Sequence, residues 1–182
     1  MIEINHKNLA SVPAVLTYLK SAEACGIDCV PLIARAGIDS EVLKDNCQQI
    51  PTTSMEHLLQ LLIEASGDPC FGLHSAKFIE PSSYSVLGYI SMNCSTLRVI
   101  QAKIPIFEKI VGDMGVTSVE VADGFALQRW ECKFVDPLVA RHEVEHVIGS
   151  WVIYAKYYLN FTPHDVIWFK HSAPDDPTLL EH

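Results

Sequence analysis

His142-Glu143-Val144-Glu145-His146 is the stretch of this 182-residue chain whose residue types and spacing could do chemistry on their own. It matches H-E-x-x-H. On a helix that spacing sets two imidazoles one turn apart, with a carboxylate placed to act as general base on a metal-bound water. A catalytic zinc also needs a third protein ligand and an open coordination position sheltered from bulk solvent. The extended pattern H-E-x-x-H-x-x-G-x-x-H runs to Gly149 and then fails, because Val152 stands where the third His belongs. No Glu follows before Glu181, and nothing in the spacing of His164 or His171 requires either to fold back. Zinc hydrolysis, with His142 and His146 as ligands and Glu143 as base, is therefore the alternative reading. The leading one has no metal, no cofactor and no catalytic residue.

The element that must carry this motif is the longest helix the sequence suggests, Asp136 to Thr162. Along it Val144, Val147, Ile148, Trp151, Val152, Ala155, Tyr158 and Leu159 recur at the i, i+3, i+4, i+7 spacing of a core-facing stripe. His142 and His146 lie two residues either side of Val144, which at about 100° per residue turns them away from that stripe. They are expected to meet solvent or a second subunit. A ligand-free dimerisation module using His142, His146, Ile153 and Tyr157 is accordingly a further alternative.

Ahead of that helix the pattern is helical almost throughout. Ser11 and Pro13 open a first helix with Val12, Val15, Leu16 and Leu19 on one face, closed by Gly26. A short helix from Val30 to Ala36 ends at Gly37, and Ser40 starts a brief turn through Asp45. Thr53 and Glu56 read as a capping box for a helix to Ser66 that buries Met55, Leu58, Leu59, Leu62 and Ile63 and stops at Gly67. Asp68-Pro69 starts another to about Phe78, and Pro81-Ser82-Ser83 is a loop. Residues 84–93 form a short helix. Ser95 caps the next, in which Leu97, Ile100, Ile104, Phe107 and Val111 keep the period and Pro105 is expected to kink or split it.

After Gly112 the period falls to two. Val119 and Val121 alternate with polar neighbours, Asp123-Gly124 is a hairpin signal, and Phe125 to Phe134 is the returning strand. Its alternation slips between Leu127 and Trp130, which suggests a bulge or a strand covered on both faces. Val166 to Lys170 reads as a third strand. The fold class is thus α+β: a mostly helical N-terminal part, then a small, mainly antiparallel sheet with one long helix.

The totals exclude several functions. Thirteen Lys and Arg against 22 Asp and Glu give a net charge of −9, and no basic patch is visible, so this surface repels nucleic-acid phosphates. No apolar run reaches the roughly 18 residues of a membrane span, and the N-terminus lacks the order of a signal peptide, so a cytoplasmic chain is expected. Six cysteines without a C-x-x-C pair read as small buried apolar residues. Residues 1–179 are read as one domain. Leu180-Glu181-His182 resembles the start of a polyhistidine tail and is left out of it.

Several short motifs then follow in a fixed order: Ala36-Gly37-Ile38-Asp39, Asp68-Pro69 with Phe71-Gly72-Leu73, Leu87-Gly88-Tyr89, Ser95-Thr96-Leu97, and Phe169-x-His171-x-x-Pro174. Together they resemble the N-terminal regulatory domain, conventionally labelled arabinose-binding, of AraC/XylS-type transcriptional regulators, over roughly residues 10–178. Where related members often carry Gly shortly before the Leu-Gly-Tyr step, this chain has Ser85-Val86. The resemblance implies a bacterial regulator whose N-terminal half senses a small-molecule effector and forms a homodimer. DNA would be bound only through a C-terminal helix-turn-helix half outside this chain. Gly37, Gly72 and Gly88 are expected to serve turns, caps or close packing, and Asp39 and Asp68 helix starts. The effector is expected between the helical layer and the sheet, with Tyr89, Trp130, Trp151 and Tyr154 as candidate wall residues that combine apolar area with a polar tip, and with His171, beside Pro174, as a further candidate to face it.

Overall fold

Burial of helical apolar faces around one long helix organises the computed structural model, which describes residues 8–122, 125–160 and 167–173. Helix α1 (Val12–Ala24) buries Val12, Val15, Tyr18, Leu19 and Ala22, and the chain leaves it through Gly26 at φ +80°. Helix α2 (Val30–Arg35) follows, ending before Gly37 at φ +71°, and a single 3-10 turn covers Val42–Lys44. Helix α3 (Thr52–Ser66) supplies the centre of the core: Met55, Leu58, Leu59 and Leu62 are all but inaccessible. Each such side chain stabilises the fold by about 1.5–3 kcal/mol relative to exposure. A three-residue antiparallel ribbon that the sequence pattern does not reveal, β1 (Leu9–Ser11) with β2 (Gln49–Pro51), ties the starts of α1 and α3 together.

The expected capping box at α3 does not form. Pro51 stands at the N-cap with no side-chain cap bond, and Glu56 turns elsewhere, accepting the backbone N–H groups of Val135 and Asp136 at 2.7 and 2.8 Å. It thereby fixes the entry to α7 (Pro137–Tyr158), whose own cap is Asp136, accepting from Leu138 and Val139. Between them lie α4 (Phe71–Ser75), a 3-10 turn over Pro81–Tyr84, α5 (Ser85–Met92) and α6 (Leu97–Val111). Thr96, not Ser95, caps α6, and the helix runs unbroken through Pro105.

The second sheet is a hairpin of β3 (Gly115–Ala122) and β4 (Phe125–Cys132), in one-to-one register from Gly115↔Cys132 to Ala122↔Phe125. Asp123-Gly124, the expected turn, lies outside the described residues. No bulge interrupts the ladder, and the strand is not covered on both faces. Gln128, Trp130 and Cys132 are half-buried while Leu127, Arg129 and Glu131 face solvent, so the slip in the hydropathy pattern is an exposed leucine and not an extra residue. The third strand is also absent: residues 167–170 are irregular, and Val166 lies outside the described residues. The chain is α+β as expected, with two small antiparallel ribbons in place of one larger sheet. The six cysteines are free, but Cys25 and Cys47 are exposed and not buried. Among the described residues no helix is long and apolar enough to cross a membrane.

Candidate functional site

Helix α7 turns its polar face inward. His142, Glu143 and His146 are 3%, 1% and 6% exposed, with Glu145, Gly149 and Ser150 buried beside them, whereas Val144, Ile148, Trp151 and Val152 are only half-buried. This reverses the outward placement that the apolar stripe suggested for His142 and His146. The reason is that α1 and α4 offer hydrogen-bond partners to that face, which makes burying polar groups tolerable.

Gly72 on α4 makes the approach close enough. A Cβ there would sit 2.0 Å from the His142 carbonyl oxygen, so only glycine lets the two backbones meet. The Gly72 N–H donates to His142 Nδ1 at 3.1 Å, which makes Nδ1 an acceptor and places the proton on Nε2. Ser75 Oγ donates to the Gly72 carbonyl at 2.7 Å and lies 2.7 Å from His146 Nδ1. Since the hydroxyl has one proton, His146 Nδ1–H must be the donor to Ser75, leaving His146 Nε2 as an acceptor 3.4 Å from Ser150 Oγ. The imidazole also packs on the Tyr18 ring at a centroid distance of 4.2 Å. Burial lowers the pKa of His146 to about 3 and lowers that of His142, so both rings are neutral.

Glu143 points to α1, where the Tyr18 hydroxyl donates to Oε2 at 2.6 Å. Desolvation raises this carboxyl to about 7, against the lowering effect of the Tyr18 bond, and burial with the neighbouring carboxylate pushes the Tyr18 phenol up as well. Glu143, His146 and Ser150 form one wall of a cavity of about 40 Å³, completed by Thr17 and Tyr18 of α1, by Ile79, Ser83 and Tyr84, and by Val111 and Met114. That volume admits about two or three waters or a small polar group. Among the described residues the Tyr84 hydroxyl, shut off from solvent, makes no hydrogen bond, although the Ser150 side chain lies close enough to oppose the rise that burial gives its pKa. Tyr84 is held here by the capping box of Glu80 with Ser83 on one side and by Ser85 at φ +52° on the other. Ser85 thus adopts a backbone conformation that glycine takes more easily. A second concavity, about 370 Å³, is an open groove between Arg98, Gln101 and Ala102 of α6 and Val119 and Val121 of β3.

The five candidate residues do not converge on either concavity. Tyr89 is 59% exposed. Trp130 is half-buried against the core under Gly115, and Trp151 is half-buried on α7. Tyr154 is buried, bonded to Ser91 and to the Gly88 carbonyl at 2.7 and 2.9 Å. His171 Nε2 lies 2.9 Å from Glu145 Oε1, the same oxygen that accepts from Arg141. Among the described residues no three His, Cys, Asp or Glu side chains converge as metal ligands, and Glu143 Oε2 accepts from the Tyr18 hydroxyl of α1. Tyr18, Ser75 and Tyr84 escaped the sequence reading. Only the departure at Ser85, next to Tyr84, hinted at a special backbone there.

The ordered motifs act as joints. Asp39 Oδ1 accepts from Glu41 N–H, Asp68 Oδ1 from Cys70 N–H, and a Cβ on Gly88 would meet the Pro81 carbonyl at 1.8 Å. Residues 26–182 match the family model described as the arabinose-binding domain of AraC transcription regulator, N-term. No match was found among curated proteins.

Proposed function

The chain belongs to the family of AraC transcription-regulator N-terminal domains, a non-enzymatic regulatory class, and on that premise we propose that it senses a small-molecule effector through the buried face of α7. The observation that carries this reading is the cavity that gathers Glu143, His146 and Tyr84, whose buried hydroxyl makes no hydrogen bond among the described residues. Convergent polar groups with perturbed acidity inside an apolar shell are what ligand recognition requires. The open α6–β3 groove is the weaker candidate, because ligand sites bury most of their ligand. The family label names arabinose, but a pentose is larger than a cavity with room for about two or three waters. The effector is therefore expected to insert one polar end, separating the α1–α7 layer from the α6–hairpin unit as it enters.

Such a ligand shifts the domain between two arrangements by no more than its difference in affinity for them. The shift is passed to a separate helix-turn-helix half that holds DNA, a division of labour supported by the net charge of −9 on this chain. A homodimer would use the part of α7 that stays outside, around Tyr157, which is 69% exposed. Thermal unfolding across a panel of sugars, amines, carboxylates and alcohols tests the sensing. At least one class should raise Tm with concentration, as binding to the native state must, and a flat response from every class would sink it. Sedimentation that finds monomer alone at high concentration would remove the homodimer.

A further inference from the structure

We propose that the Glu143 cavity is a receptor for a primary ammonium group, so that the effector is a small aliphatic amine; this rests on the sensing role proposed above. An ammonium brings three N–H donors and one positive charge. The cavity presents acceptors: the Glu143 carboxylate, which takes the Tyr18 hydroxyl on Oε2 only; His146 Nε2, whose tautomer is set by the Ser75–Gly72 relay and which faces Ser150 Oγ at a long 3.4 Å; and the Tyr84 oxygen, which makes no hydrogen bond among the described residues. Among the described residues no Lys or Arg lines the cavity. A carboxylate or phosphate would meet a like charge there with no cation to offset it. Ile79, Val111, Met114 and Val147 complete an apolar wall suited to an alkyl stem. The groups facing Glu143 from the packed elements, Tyr18 of α1, Cys132 of β4 and His146 of its own helix, are all neutral, so an incoming cation has no competitor for the carboxylate.

Calorimetric titration of the whole chain with methylamine, ethylamine and butylamine hydrochlorides at pH 8 and constant ionic strength tests this. Carboxylates and alcohols of the same skeletons, NaCl and KCl are the comparison arms. Amines should bind, and Glu143→Gln should weaken them by about tenfold or more, as loss of a charged hydrogen bond does. Because that variant could disturb the Tyr18 contact, Tyr84→Phe provides the second arm: it removes a hydroxyl that makes no hydrogen bond among the described residues, so it should fold at least as stably and still bind amines several-fold more weakly. Val147→Phe should fill the cavity and abolish amine binding. Equal binding of carboxylates, alcohols or K⁺, or amine affinity unchanged in all three variants, overturns the assignment. A ligand of another class that binds Val147→Phe normally sinks the amine site and leaves sensing intact, whereas no ligand of any class sinks both.

Discussion

Glu143 and Gly72 are the residues on which the interior of α7 depends, for different reasons. The folded-state carboxyl of Glu143 titrates at about 7 against an ordinary 4.5, so between those values the unfolded chain releases a proton that the folded one keeps. Its contribution is fully present below about pH 4.5 and is lost as pH rises through 7, an effect of about 3 kcal/mol at roughly 1.4 kcal/mol per pH unit. His146, lowered from 6.5 to about 3, works the other way, with stability lost as pH falls through that interval, and His142 adds in the same direction. The two kinds of group mask each other in the wild type between about pH 4.5 and 6.5. Comparing Glu143→Gln with wild type by urea unfolding isolates the carboxyl: the variant should gain on wild type by about 3 kcal/mol between pH 5 and pH 8. A pH-independent difference would place Glu143 in water. Gly72→Ala has no such subtlety, since its Cβ would collide with the backbone of His142. A loss above about 3 kcal/mol is expected, measurable in the same urea titration.

At the scale of elements, α7 is held at its entry by a residue from another helix. Glu56→Ala removes the acceptor of two backbone N–H groups ahead of α7. It should cost about 1–3 kcal/mol and raise hydrogen exchange at Val135 and Asp136; unchanged exchange there would deny Glu56 this role. The same residue shows where sequence reading stops. Thr53 and Glu56 have capping-box spacing, but a partner 79 residues away takes the carboxylate, and local spacing carries no trace of that contact. Helix extents were legible because Gly26, Gly37 and Gly67 occupy left-handed positions that few other residues accept. The inward face of α7 was not legible. Hydropathy ranks Val144 and Ile148 above His142 and Glu143, yet what decides burial here is whether Tyr18, Gly72 and Ser75 can answer each polar atom. The third strand failed for a related reason: an apolar run of five residues predicts an extended segment only if another strand is there to pair with it.

Taken as a whole, the molecule divides into an α1–α4–α7 layer joined by the hydrogen bonds at Gly72, Tyr18 and Ser75, and an α6–hairpin unit that meets it around the Glu143 cavity. The one buried residue of α6 is Ile100, so the unit has less holding it in place than the core around α3. Ligand entry at that seam should therefore change hydrogen exchange most in α6 and β3 and least in α3. The most direct test of the account is NMR mapping of whichever compound raises Tm. Shifts centred on Tyr18, Tyr84, Glu143 and His146 are what it predicts; shifts confined to Arg98, Gln101, Val119 and Val121, with the α7 interior silent, would contradict it.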